Sequence, residues 1–227
     1  MAKEFEKRTV VVSTIPIATE ELFFDDFENT LVWNAAIDTP GGYIGRTTER
    51  RVSGNHSLKI TDGSGSKSVF DINSAYYTIN RKRSNLMFWS FWINTVNLSA
   101  AGTYLILRLW VEKGTDEPAK EFTIRFEGSS GNWAYLNSSG TYTALPALPS
   151  GIFGNAWIFF QLGIDVENQK YQTVKVGPTL QSLADIDGYT IISGWYDQVD
   201  MFIELEARVV ATQNTIYIDD VIIKFTE

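Results

Sequence analysis

The chain has 227 residues, of which 44% are hydrophobic and 20% charged, and its formal net charge is −8. This charge argues against binding to nucleic acid or to anionic membranes, because both require a positive protein surface. The sequence contains no cysteine, which excludes disulfides, thiolate metal ligands and cysteine nucleophiles.

The first twenty residues differ from the rest of the chain. Residues 9–17 are mostly β-branched and predict an extended strand, which must pair with a sheet edge to be stable in water. We predict that residues 1–20 form an N-terminal arm for contacts in a homo-oligomer or capsid. The arm residues assigned to these contacts are Val10, Val11, Val12 and Ile15. The segment lacks the apolar core of a signal peptide, so we expect production in a cytoplasm.

Residues 21–227 predict a single all-β sandwich domain. Apolar and polar residues alternate with period two, and Gly/Ser-rich turns such as Asp62-Gly63-Ser64-Gly65 separate the short strands. Helical periodicity is limited to Thr179–Asp187, which predicts about two turns of helix.

The first and last strands of this sandwich are both acidic. The segments 23–28 and 217–223 each carry neighbouring carboxylates, and we predict that they pair to close the sandwich. Pairing would bring Asp26, Glu28 and Asp219 within reach of one another. Clustered carboxylates require protons or a cation, so the cluster indicates a structural metal site.

Three segments carry a family resemblance through their order along the chain. They read Phe24-Asp25-Asp26-Phe27-Glu28, then Ser53-Gly54-Asn55-His56-Ser57-Leu58-Lys59-Ile60, and last Tyr217-Ile218-Asp219-Asp220-Val221. This succession resembles the jelly-roll carbohydrate-binding modules and related concanavalin A-like sandwiches over residues 22–227. The resemblance implies a two-sheet antiparallel jelly roll. It also implies a structural calcium ion at Glu28 and Asp219, assisted by the Gly54-Asn55 turn; the alternative is a set of exposed carboxylates at strand ends.

The sequence shows no recognisable catalytic motif. His56 is the sole histidine and no Gly-x-Ser-x-Gly segment occurs, so a serine triad is not indicated. Asp200, Glu204 and Glu206 share one face of a predicted strand, as paired carboxylates of glycosidases can. The E-x-D-x-x-E pattern of sandwich glucanases is absent, however, and a solvated strand face is the favoured interpretation. We therefore predict no catalytic residues and a chain that is not an enzyme.

Aromatic residues are the remaining candidates for a binding site. Four of them lie near turns and could contact a ligand or partner, or else pack internally: Trp133, Tyr135, Trp195 and Tyr196. Trp89, Trp92 and Trp110 lie in strongly apolar strands and are predicted to be core.

Three functions are consistent with these features. The favoured hypothesis is a non-enzymatic virion protein, such as a capsid decoration protein on the virion surface, that uses its arm for assembly. The alternative is a carbohydrate-binding module that recognises a polysaccharide through exposed aromatics. The third is a sandwich glycosidase or lyase.

Overall fold

The structure is a computed structural model, and it describes residues 19–63, 71–80, 86–96, 98, 102–114, 117–150, 156–193, 197–207 and 213–226. These residues form β-strands joined by turns and loops. No helix in these ranges has the length and apolarity that a membrane crossing requires. The predicted arm contacts at Val10, Val11, Val12 and Ile15 lie outside the described residues.

The first sheet, called sheet A, contains eight antiparallel strands. They are β1 (Thr19–Asp25), β3 (Tyr43–Thr47), β4 (Ser57–Thr61), β6 (Leu86–Val96), β11 (Ile158–Asp165), β12 (Lys170–Val176), β13 (Thr179–Asp187) and β16 (Thr215–Thr226). Their spatial order is β13-β12-β11-β6-β16-β4-β3, and β1 also pairs with β16.

The second sheet, called sheet B, contains the other eight strands, also antiparallel. They are β2 (Asn34–Ile37), β5 (Asp71–Asn80), β7 (Thr103–Lys113), β8 (Pro118–Glu127), β9 (Asn132–Leu136), β10 (Tyr142–Ala144), β14 (Tyr189–Ser193) and β15 (Asp197–Ala207). Their order is β10-β9-β8-β7-β15-β5-β2, and β14 pairs with β8.

The first and last strands pair with each other, as predicted. On one side of β16, β4 pairs with residues 215–218 and β1 with residues 221–226. Asp219 and Asp220 lie between the two partners, at a bulge in the pairing of β16 with β6. Pairing of β1 begins at Thr19, two residues before the predicted start of the sandwich.

One hydrophobic core fills the space between the sheets. Sheet A contributes Trp89, Phe91 and Phe160, and sheet B contributes residues such as Leu107 and Phe122, all fully buried. The predicted two-sheet antiparallel jelly roll is confirmed, and Trp89 is in the core as predicted.

The predicted helix at Thr179–Asp187 is wrong, because this segment is the edge strand β13. Its pairing with β12 shifts between Ser182 and Ile186, and Asp185 has a left-handed φ of 70°. The irregularity brings Leu183 and Ile186 onto the core side although they are three residues apart. A bulged strand thereby reproduces a helical spacing of apolar residues.

Two tryptophans predicted to be core lie on outer faces instead. Trp92 follows buried Phe91 on β6, and Trp110 lies between buried Leu109 and Val111 on β7. Successive side chains of a strand point to opposite faces, so these rings point away from the core. Both are half-buried.

Candidate active site

The outer face of β15 carries the carboxylates that the sequence placed together. Met201, Ile203 and Leu205 are fully buried on the core side. Asp200, Glu204 and Glu206 point the other way, so the predicted alternation is confirmed. The prediction of a solvated face is wrong, because these three residues are only 8%, 4% and 5% exposed.

Large neighbours cause this burial. In the register of the sheet, Trp110 of β7 lies opposite Asp200, and Tyr104 lies opposite Glu206. Phe202 lies between the carboxylates on β15 itself. Carboxylates are rarely buried unless they are paired or have a functional role, so the partners of this group determine its chemistry.

Arg108 of β7 is the central cation of this surface. Its Nη2 atom lies 3.0 Å from Oε2 of Glu204, and its Nε atom lies 3.3 Å from Oε1 of Glu121 on β8. We call the surface formed by Arg108, Glu121, Asp200, Glu204 and Glu206 the acidic face. It contains four carboxylates and one guanidinium, so its charges are not balanced within the group.

The two contacts of Arg108 satisfy the distance of an ion pair but lack the alignment of a hydrogen bond. Arg108 Nε and Glu204 Oε2 are both buried and have no hydrogen-bond partner among the described residues. Buried polar atoms without partners are costly in a folded protein. The ion pairs of Arg108 therefore hold this part of the sheet face without satisfying every buried polar atom.

Glu121 is held from three directions. Its Oε1 atom accepts a hydrogen bond from the Thr123 hydroxyl at 2.6 Å, and its Oε2 atom accepts one from Trp110 Nε1 at 3.3 Å. The third contact is the ion pair with Arg108. These contacts fix the orientation of the Glu121 carboxyl group.

Glu204 has the opposite environment. Burial raises the pKa of its carboxyl above the ordinary value, and this effect exceeds the opposing attraction of Arg108. Glu121 raises it further by like-charge repulsion. A carboxyl with a raised pKa beside a second carboxyl group is the usual arrangement of an acid and its partner in carboxylate catalysis.

Aromatic side chains border the acidic face on both sides. Phe202 packs against Trp110 at a ring distance of 4.7 Å and stacks on Tyr76 at 5.8 Å. On the other side, Arg125 lies 3.7 Å from the ring centre of Tyr142. All five side chains are half-buried, so they present partly accessible apolar surface beside the carboxylates.

The predicted ligand contacts on β9 face inward. Trp133 is 2% exposed, its ring stacks on Phe160 at 6.0 Å, and its Nε1 atom donates to the Pro149 carbonyl. This corrects the prediction of ligand contact for Trp133, because the core occupies its ring. Tyr135 is half-buried and packs edge-on against Tyr171 at 5.6 Å. Trp195 and Tyr196 lie outside the described residues.

The predicted metal ligands hold a loop. Oε1 of Glu28 accepts hydrogen bonds from the N–H groups of Asn55 and His56. Gly54 precedes them with a φ of 54°, and a Cβ there would lie 2.5 Å from Oε1 of Glu28. Glycine is therefore favoured at this turn on two grounds. The N–H of Asn55, and then that of His56, lower the pKa of the Glu28 carboxyl to about 2 against the opposing effect of burial.

Asp219 holds the other end of the same loop. Its Oδ2 atom accepts hydrogen bonds from the N–H groups of Val52 and Ser53 at 2.6 and 3.2 Å. Burial raises the pKa of Asp219, while these donors oppose the increase. Asp26 is not part of this arrangement, since its Oδ1 atom accepts the N–H of Glu28.

The hydrogen bonds that reach these carboxylates leave fewer oxygens free for a calcium ion. Calcium requires six to eight oxygen ligands, whereas N–H donors occupy the carboxylate oxygens that face the loop. The described residues include no group of three or more acidic, histidine or cysteine side chains that could hold a metal ion. The calcium prediction at Asp26, Glu28, Asn55 and Asp219 stays a prediction.

The sandwich is similar to solved structures of two enzymes and a lectin. An endo-β-1,4-glucuronan lyase from the fungus Trichoderma reesei has a TM-score of 0.58 at 12% identity, over 91% of this chain and 96% of the lyase. A Bacillus licheniformis β-glucanase has a TM-score of 0.54 at 14% identity, over 90% of this chain and 97% of the glucanase. A Bauhinia forficata lectin in complex with GalNAc has a TM-score of 0.54 at 11% identity, over 92% of this chain and 98% of the lectin.

The chain has the concanavalin A-like jelly-roll fold. The family resemblance seen in the sequence is thus confirmed for the fold. Structural similarity at identities of 11–14% establishes the fold alone. No protein-family model matches the sequence, and a comparison with curated proteins finds no match.

The comparisons bear on two predictions about function. The prediction that the chain is not an enzyme is wrong: it rested on the absence of a recognisable catalytic motif, and the same fold occurs in a lyase and a glucanase. The virion hypothesis finds no support among these structures. Two of them are enzymes and the third is a lectin in complex with GalNAc.

Sequence reasoning missed Arg108 and Glu121 as site residues. They lie on β7 and β8, far along the chain from β15, and only the strand order places them beside Glu204. The usable signal was a charged residue at an outward position of a largely apolar strand, as in Arg108 on β7 and Glu121 on β8.

Proposed function

We propose that this protein is a carbohydrate-active enzyme that hydrolyses glycosidic bonds of a polysaccharide bound across the outer face of sheet B. The observation that supports it most is the buried pair of Glu204 and Glu121 on opposite sides of Arg108. Glycoside hydrolysis generally requires two carboxyl groups, one protonated and one ionised, flanking the bond that breaks.

Glu204 is the acid in this proposal. Its carboxyl donates a proton to the glycosidic oxygen as the bond to the anomeric carbon breaks, so that the leaving sugar departs as an alcohol. The raised pKa of Glu204 supports this role, because the carboxyl must be protonated at the working pH.

Glu121 supplies the second carboxylate. It stabilises the positive charge that develops on the sugar ring, or it takes the proton of the attacking water. Arg108 is a positioning residue, since it contacts both carboxylates and keeps them apart. The half-buried rings of Trp110, Phe202 and Tyr76 offer flat apolar surface on which sugar rings can pack.

A screen of polysaccharides tests the proposal. The chain is incubated with β-glucan, xylan, cellulose and glucuronan, and new reducing ends are counted for wild type, Glu204→Gln and Glu127→Gln. Glu127 is a matched control, because it lies on the same face of β8 as Glu121 but two rows of the sheet from Arg108. Release of sugar by wild type and Glu127→Gln, with loss in Glu204→Gln, is expected; equal release by all three would contradict the proposal.

A further inference from the structure

A groove lined by aromatic rings lies on the outer face of sheet A, on the opposite side of the sandwich from the acidic face. Trp92 of β6 and Phe159 of β11 are register partners, and their rings are 5.6 Å apart in an edge-on arrangement. Trp157, just before β11, forms the next part of the wall. The groove has a volume of about 630 Å³, within the usual range of ligand sites.

The groove continues into a polar depression of about 440 Å³, and Trp157 lines both parts. The depression is formed by the loop after β3 and by β6. Arg50, Arg51, Ser53 and Asn94 line it. One amino group of Arg50 donates to Asn94 Oδ1 and one of Arg51 to the Thr48 carbonyl, which leaves each guanidinium other N–H groups for a ligand. We call the two parts together the aromatic groove. It combines flat apolar walls with hydrogen-bonding groups at one end.

The aromatic groove carries positive charge in a chain of net charge −8. Lys175 lies 5.5 Å over the ring of Phe159, and Arg50 and Arg51 line the polar end. Among the described residues, no carboxylate lies within ion-pair distance of these three cations. Glu49 also lines the groove, but its carboxylate accepts hydrogen bonds from the ammonium group of Lys59.

We propose that the aromatic groove is a second saccharide-binding site, specific for an acidic saccharide whose sugars carry carboxylates. The C–H faces of sugar rings pack on Trp92, Trp157 and Phe159, as apolar surfaces pack on aromatic rings. Lys175 and the two arginines pair with the sugar carboxylates, which guanidinium groups bind with two parallel hydrogen bonds. The choice of a saccharide rests on the proposed function, whereas its acidic character rests on the charge of the groove.

The two sites lie on different sheets, so one polymer can occupy both without competition. A polysaccharide held in the aromatic groove would keep the protein on its substrate between cleavage events. Linked binding of this kind raises the effective concentration of substrate at the second site.

Binding of defined oligosaccharides tests the inference. Calorimetric titration uses hexamers of glucuronic, galacturonic and mannuronic acid, with the neutral glucose hexamer as comparison. The proteins are wild type, Lys175→Gln, Trp157→Ala, Glu204→Gln and the control Lys170→Gln, which changes a lysine at the far end of the same strand β12.

We expect at least one acidic hexamer to bind wild type, Glu204→Gln and Lys170→Gln with similar Kd. We expect about a tenfold or larger increase in Kd for Lys175→Gln and Trp157→Ala, and weaker binding at high salt. Failure of all three acidic hexamers to bind would overturn the inference, and so would equal binding by the Lys175 and Trp157 variants. Loss of binding in Glu204→Gln alone would place the ligand on the acidic face and also overturn it.

The two proposals fail separately. Binding that depends on Lys175 without any release of reducing ends would contradict the proposed function and leave the second site standing. Cleavage that depends on Glu204, with hexamer binding unaffected by Lys175→Gln, would support the proposed function and contradict the second binding site.

Discussion

Arg108 Nη2 lies 3.0 Å from Glu204 Oε2, yet the pKa of Glu204 is raised rather than lowered. A neighbouring guanidinium ordinarily favours the ionised carboxylate. Here the desolvation of Glu204 by burial is the larger effect, and Glu121 forms an ion pair with the same arginine. One arginine serving two carboxylates leaves one of them suited to hold a proton.

The raised pKa of Glu204 predicts a specific pH dependence of stability. Between the ordinary glutamate pKa and the higher value in the fold, the folded protein binds more protons than the unfolded chain. The free energy of unfolding therefore falls as pH rises through this window. Glu204→Gln stays neutral, so its stability relative to wild type should increase with pH, as measured by urea unfolding from about pH 4 to about pH 8. A flat difference for Glu204→Gln would contradict the assignment.

Glu28 predicts the opposite pH dependence. Its pKa is lowered to about 2, so the folded state favours the ionised form. The stability that it contributes is present above the ordinary glutamate pKa and is lost as pH falls towards about 2. Wild type should therefore exceed Glu28→Gln in stability at neutral pH, and the two should converge in acid. Urea unfolding at neutral pH and in acid measures the difference in free energy of unfolding between the two proteins. A difference that persists undiminished in acid would be inconsistent with the lowered pKa of Glu28.

Asp219 should stabilise the protein by accepting N–H groups, without a metal ion. Asp219→Ala removes the acceptor for Val52 and Ser53 and should cost about 2 kcal/mol, a usual value for hydrogen bonds to a charged group. A chelator should leave the melting temperature of wild type unchanged. A decrease with chelator that calcium reverses, and that Asp219→Ala lacks, would instead support the calcium site predicted from the sequence.

Trp110 and Trp133 should respond differently to truncation. Trp133→Ala removes a fully buried ring and should lower the free energy of unfolding by about 3–5 kcal/mol. Trp110→Ala should cost less stability, because its ring is half-buried, but should raise KM about tenfold for any polysaccharide that is cleaved. Denaturant unfolding and steady-state kinetics on both variants separate the roles. An unchanged KM in Trp110→Ala would exclude the ring from the binding surface.

The sequence predicted those features that depend on local alternation. Period-two patterns indicated the strands, and the matching acidic ends indicated that β1 pairs with β16. The common face of Asp200, Glu204 and Glu206 followed from the same alternation, because neighbouring side chains of a strand point to opposite faces.

The predictions that failed concern features that depend on strand order and on irregular strand pairing. Trp92 and Trp110 appeared to be core residues, because the composition of a strand does not reveal which face is covered. The bulge near Asp185 gave β13 a helical spacing. Arg108 and Glu121 became partners of Glu204 only through the order β8-β7-β15, which no local pattern encodes.

The role of Glu204 as the acid is the central claim, and the leaving group of the substrate tests it most directly. An acid is needed when the leaving group is a sugar alcohol and hardly needed when it is a nitrophenol. Rates of wild type and Glu204→Gln are compared on the polysaccharide that the screen identifies and on the nitrophenyl glycoside of the same sugar. We predict a loss of at least about 100-fold on the polysaccharide and less than about tenfold on the nitrophenyl glycoside. Equal losses on the two substrates, or no loss on the polysaccharide, would contradict the assignment of Glu204 as the acid.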